Sequence, residues 1–193
     1  MKAGTWAKGL TWLAGALALV VVAGVAAAYS GGRIGRSGNP ATGGLTCNQC
    51  HSGGRPPVVV INGPSIVEPG QTATYSLVIS GGQEAGGGFN VSADAGELDK
   101  PAGATDVQVL IEQMTQRPEV THTAPKAVDS QGTVTFTFEW TAPQTAGIAT
   151  LYGAGNSVNF SGYPDGDAAA AVTRAVAVME EVTGRVFLPA AIR

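Results

Sequence analysis

Two cysteines and two histidines are all the thiol and imidazole in 193 residues. Three of these four side chains fall in one run, Cys47-Asn48-Gln49-Cys50-His51. C-x-x-C-H is the spacing that attaches c-type haem. Two thiols add to two vinyl groups, and the next residue offers its imidazole to the iron, the usual proximal arrangement. The motif predicts one covalent haem c on Cys47 and Cys50, with His51 as metal ligand. Three other readings compete. One is a small disulfide loop that His51 follows by accident. The second is a thioredoxin-like redox pair, which expects a βαβ setting. Zinc on Cys47, Cys50, His51 and His122 is the third, with acceptable ligand types.

A haem iron also has a sixth position. His122, Met114 and Met179 are the candidates, and an open site is the remaining option. His122 lies in Val120-Thr121-His122-Thr123-Ala124-Pro125 after Pro118, which predicts an extended, accessible side chain and makes it the second metal-ligand candidate. Met114 and Met179 are expected as gap-fillers in the core. Asn156, Asn159, Asp165 and Asp167 could collect oxygen ligands for calcium. The same residue types build tight turns, which is the expected use. A Ser-His-Asp triad would need one of only two histidines, so hydrolysis has no support. Trp140 and Tyr152 are read as core residues.

The segment that carries the motif cannot stand alone. From Tyr29 to Pro57 it has eight Gly and three Pro, and Ile34 and Leu45 are its main large apolar residues. It must lie on another body, and residues 58–182 supply one. Val58–Ile61 and Thr72–Ser80 read as strands, the latter alternating Tyr75, Leu77 and Ile79 against Thr74, Ser76 and Val78. Gly81–Gly88 reads as a flexible loop, and Phe89, Val91 and Ala93 alternate again. Val134, Phe136, Phe138 and Trp140 mark the cleanest strand, and Ile148–Tyr152 starts another. Thr105–Gln116 and Ala168–Glu181 fit either a helix or a strand. Six to eight short strands with frequent turns predict an all-β, antiparallel sandwich. Residues 183–193 are left as a tail or edge strand around Val186-Phe187-Leu188-Pro189.

Residues 1–28 read as an export signal. Lys2 and Lys8 precede an apolar run from Leu10, and Ala26-Ala27-Ala28 offers a cleavage site before Tyr29. An uncleaved anchor is the rival, and the only membrane contact expected, because such a run is long enough to span a bilayer. Export permits oxidised sulfur chemistry. The net charge of −3 becomes −5 once Lys2 and Lys8 leave, and no basic stripe suggests a nucleic-acid partner. The low charged fraction, 13%, and 44% hydrophobic content argue against disorder.

Ser37-Gly-Asn-Pro-Ala-Thr-Gly-Gly-Leu-Thr-Cys47 through His51-Ser-Gly-Gly resembles the opening of choice-of-anchor V domain proteins, exported relatives of the Reeler β-sandwich. Gly88-Phe89, Gly96-Glu97-Leu98, His122-Thr123, Phe138-Glu-Trp140-Thr-Ala-Pro143, Leu151-Tyr152-Gly-Ala-Gly-Asn156, Asn159 and Gly166-Asp167 continue the likeness. The resemblance implies an immunoglobulin- or fibronectin III-like sandwich after an N-terminal C-x-x-C-H segment. It carries no defined activity. Two functions are therefore expected to compete: a non-enzymatic, single-haem electron-transfer protein with a redox partner protein, and a surface or matrix-binding sandwich with a Cys47–Cys50 disulfide.

Overall fold

Strand patterning decides the architecture of this chain, whose structure is a computed structural model that describes residues 29–82 and 85–180. The predicted export signal and the residues after Glu180, Val186–Pro189 among them, lie outside the described residues. Two sheets face each other. The smaller is built from β2 (Pro57–Asn62), β4 (Thr72–Gly81), β6 (Glu97–Asp99) and β10 (Thr133–Thr141), in the order β2-β4-β10-β6. The larger contains β1 (Ser52–Gly53), β5 (Gly86–Ala93), β7 (Val107–Ile111), β8 (Pro118–His122), β11 (Gly147–Val158) and β12 (Asp165–Val178). Its order is β1-β12-β11-β5-β8-β7, with β3 (Ile66–Val67) beside β12 and β9 (Lys126–Ala127) beside β5. The all-β sandwich expected from the turn spacing is the fold observed.

The inner faces follow the period-2 pattern. In β4 Tyr75, Leu77 and Ile79 are buried, and in β10 Val134, Phe136, Phe138 and Trp140 are. β4 and β10 pair in continuous antiparallel register, which sets Tyr75 beside Phe138 with ring centroids 5.8 Å apart. The Trp140 indole N–H donates to the Ala95 carbonyl, so its one polar atom is satisfied. Across the core, Gly153 and Gly155 in β11 make room for the opposite sheet. A Cβ at Gly155 would stand 2.7 Å from Ile79 Cγ1 and 2.9 Å from Val59 Cγ2.

Both ambiguous segments are strands. β12 pairs with β11 from Ala168 to Val178, so the sheet overrides the helix preference of its alanines. Val107–Ile111 pairs with β8, and the turn after it is closed by Glu112, whose Oε2 accepts from the amides of Met114 and Thr115.

Two expectations need correction at β5. Gly86–Gly88 is strand rather than loop, paired with Asn156–Val158 of β11. The alternation of Phe89, Val91 and Ala93 does not produce a half-exposed strand either, because all eight residues of β5 are buried. One face meets the core. The other lies beneath the Gly-rich N-terminal segment, as the poverty of that segment in apolar side chains required. Arg36 N–H donates to Asn90 Oδ1, the Ser37 and Ser92 hydroxyls lie 2.7 Å apart, and Asn39 Nδ2 donates to Ser92 Oγ. Gly35 N–H donates to Glu119 Oε2 on β8.

Candidate functional site

The motif starts as a single tight turn. Thr46 caps a 3-10 turn over Cys47–Gln49, and the Gln49 side chain accepts from the Thr46 amide, closing a capping box. The amides of Cys50 and His51 both donate to the Cys47 carbonyl. Asn48 fastens the turn to the sandwich. Its Nδ2 donates to the Ala169 carbonyl at 3.0 Å and its Oδ1 accepts from the Ala169 amide at 2.9 Å. A side-chain amide thus stands in for a strand neighbour on β12, 121 residues away. Both intervening residues of C-x-x-C are used in holding the two cysteines.

His51 follows in a fixed orientation. Its Nδ1 lies 2.9 Å from Asp167 Oδ2 on β12. Asp167 is buried, and its other oxygen accepts from the Asn159 amide. A carboxylate accepts hydrogen bonds only, so Nδ1 carries a proton, and in the neutral imidazole Nε2 keeps its lone pair. This is the carboxylate–histidine arrangement that prepares an imidazole to bind a metal.

Beside His51 opens a cavity of about 910 Å³, within the range of small-molecule and cofactor pockets, roughly 300–1,000 Å³. Cys47, Cys50, His51 and His122 all line it. Tyr29, Phe160 and Tyr163 stand exposed among its lining residues. Phe160 takes a left-handed backbone, φ 57°, an uncommon conformation for a bulky side chain. Arg33 and Arg36 are the cavity's cationic side chains, and the Arg36 Nε is buried without a partner. Burial pushes the Cys47 thiol up to about 11, against the opposing charge of Arg36, while Cys50 is exposed. Both cysteines are free thiols.

His122 closes another wall. It ends β8, where the strand parts from β5 before β9 rejoins it. The ring fills this gap and takes over backbone duties. Phe89 N–H donates to His122 Nδ1 at 2.9 Å, and the Thr121 hydroxyl donates to the Phe89 carbonyl at 2.7 Å. Only glycine fits beneath the ring, since a Cβ at Gly88 would lie 2.5 Å from His122 Cε1. The predicted extended backbone is present, and the side chain is half-buried and lines the cavity. Burial holds the His122 pKa below the ordinary value; a hydrogen bond from Nδ1 to the Phe89 carbonyl, 3.2 Å away, would raise it, and a charged His51 would lower it further.

The structure separates the other candidates from the site. Met114 and Met179 are 73% and 48% exposed, so neither fills the core as expected, and neither lines the cavity. Tyr152 is half-buried in β11, opposite Ser92, rather than a core residue. Among the residues considered for calcium, Asn159 Nδ2 donates to the Asp165 carbonyl and Asn159 N–H to Asp167, the work of a turn. No group of three or more His, Cys, Asp or Glu side chains suited to a metal ion occurs among the described residues. Among the described residues no βαβ unit supports a thioredoxin-like pair. Sequence reasoning missed the partnership of Asp167 with His51, the cavity-lining Arg33 and Arg36, and the anchoring of the motif turn by Asn48. None of them carried a local signal, since Asp167 stands 116 residues from His51 and only the fold joins them.

No protein-family model matches the chain, and no curated protein is significantly similar to it. Among the described residues no helix is long and apolar enough to cross a membrane.

Proposed function

We propose that the protein is an exported single-haem c-type protein that transfers electrons. The observation that carries this reading is the convergence of Cys47, Cys50 and a His51 already oriented by Asp167 on one cavity of cofactor size. Cys47 and Cys50 would hold a haem covalently through one thioether each, the product of thiol addition to a vinyl group, which needs no oxidant. His51 would offer Nε2 to the iron, and Asp167 holds the ring in the orientation that leaves that nitrogen free. Arg33 and Arg36 offer the cavity a cationic side that suits the two haem carboxylates. The haem supplies a one-electron couple at a potential set by its ligands and surroundings. Exposed Phe160 and Tyr163 form an apolar rim through which a redox partner can approach. Export rests on the N-terminal sequence, and the choice-of-anchor V resemblance adds the surface setting.

The test is a reduced pyridine haemochrome spectrum of chain produced with a cytochrome c maturation system. A c-type spectrum that survives acid–acetone extraction is expected, and Cys50→Ser should lose or weaken the covalent attachment. Correctly exported, colourless protein would overturn the proposal and leave the sandwich as a surface- or matrix-binding module.

A further inference from the structure

The two histidines that face the cavity are wired in opposite senses. His51 gives the hydrogen on Nδ1 to Asp167 and keeps Nε2 bare. His122 does the reverse, because its Nδ1 accepts the Phe89 amide hydrogen. That amide sits on the edge of β5 where β8 has departed, and a buried N–H that loses its acceptor costs free energy. The same Nδ1 lies 3.2 Å from the Phe89 carbonyl, but the Thr121 hydroxyl already serves that carbonyl at 2.7 Å, whereas the amide hydrogen is directed at Nδ1. A neutral imidazole whose Nδ1 accepts carries its hydrogen on Nε2. Such a nitrogen donates a hydrogen bond and cannot bind a metal.

We propose that His122 is not the second axial ligand of the iron but a hydrogen-bond donor on its open side, so that the cavity takes a small ligand with a hydrogen-bond-accepting atom beside the haem. The inference rests on the haem reading and narrows it. An independent observation lies next to the ring. Asn156 pairs with Gly88, directly beneath His122, lines the same cavity and is only 5% exposed, yet its Oδ1 has no partner. This wall therefore holds a donor and an unused acceptor, polar equipment that an iron closed by two imidazoles would not call on. The donors and access on the distal side of a haem decide between ligand binding and simple electron transfer.

Potassium fluoride is the probe, because it binds ferric haem at an open position and responds to a neighbouring donor. The unsubstituted ferric holoprotein should be high-spin and bind fluoride. His122→Phe should remain high-spin with fluoride bound about 10- to 100-fold more weakly, the loss of one hydrogen bond to a charged group. His122→Gln, which keeps a donor, should recover most of that affinity. A low-spin protein would overturn the proposal, whether or not His122→Phe relieves it, and so would fluoride affinity that His122→Phe leaves unchanged. Should the variants fail to mature, 15N NMR of the unsubstituted protein reads the tautomer directly: hydrogen on Nε2 supports the assignment, hydrogen on Nδ1 overturns it. An absence of covalent haem would instead refute the haem reading, and the spectrum separates that failure from this one.

Discussion

The two cysteines are chemically unequal although three positions separate them. Thiolate is the reactive form, so a thiol pushed up to about 11 has roughly one thousandth of its population ionised at pH 8. Cys47 is half-buried, and Cys50 is exposed. In haem-free protein iodoacetamide should label Cys50 well before Cys47, by about tenfold or more in rate, and mass spectrometry of timed digests would read it. Equal labelling would mean that the burial of Cys47 does not persist in solution. At this scale the sequence reading was strong on identity and weak on partnership. C-x-x-C-H is contiguous, so Cys47, Cys50 and His51 could be found by spacing alone. Asp167 stands 116 residues from His51, and it was read instead among turn and calcium residues. Nothing local distinguishes an aspartate that ends a turn from one that orients an imidazole across two strands.

Elements show the same division between local and non-local information. β4 and β10 were legible because one face of each is apolar and the other polar, the alternation of a strand buried on one side. β5 was legible only in part: Phe89, Val91 and Ala93 alternate with Asn90 and Ser92, but Gly86–Gly88 read as loop, and nothing in the alternation shows that the N-terminal segment covers the second face. Its three leading glycines looked like a loop because small residues serve both turns and close packing. The counterpart in β11 gives a direct check. Gly155→Ala would place a methyl group 2.7 Å from Ile79 Cγ1 and 2.9 Å from Val59 Cγ2, both on the facing sheet. Overpacking of this kind costs about 1–3 kcal/mol, read as a lower urea midpoint with an unchanged slope. A midpoint equal to that of the parent would show that the two sheets are not held this closely. The ambiguous β12 makes the complementary point: alanine favours a helix locally, and eleven registered pairs with β11 decide otherwise.

For the whole molecule, the unusual feature is a polar interface between the N-terminal segment and the larger sheet. Asn90, Ser92 and Glu119 are buried there, and they bind backbone and side chains of residues 35–39. Glu119 is the exposed flank of this design in energetic terms: it is 1% accessible, and its Oε1 has no partner. Burial raises its pKa above the ordinary 4.5, the Gly35 amide and Asn90 oppose the rise, and Glu112 adds to it. His122 is shifted the other way, below 6.5. The consequences for stability have opposite signs. As pH rises through 4.5 toward the folded value of Glu119, the unfolded chain ionises first and is favoured. As pH falls through 6.5 toward the folded value of His122, the unfolded chain takes up the proton first and is again favoured. Glu119→Gln removes the first effect and leaves the second, while keeping an oxygen for the Gly35 amide. The variant should match the parent near pH 4 and exceed it at pH 8 by about 1–2 kcal/mol, the scale of one uncompensated buried polar group. Urea midpoints of both proteins across that range would decide it. A gain at pH 8 that is also present at pH 4 would assign the benefit to packing rather than to charge. A loss at both would mean that ionised Glu119 anchors residues 35–39 more strongly than its burial opposes them.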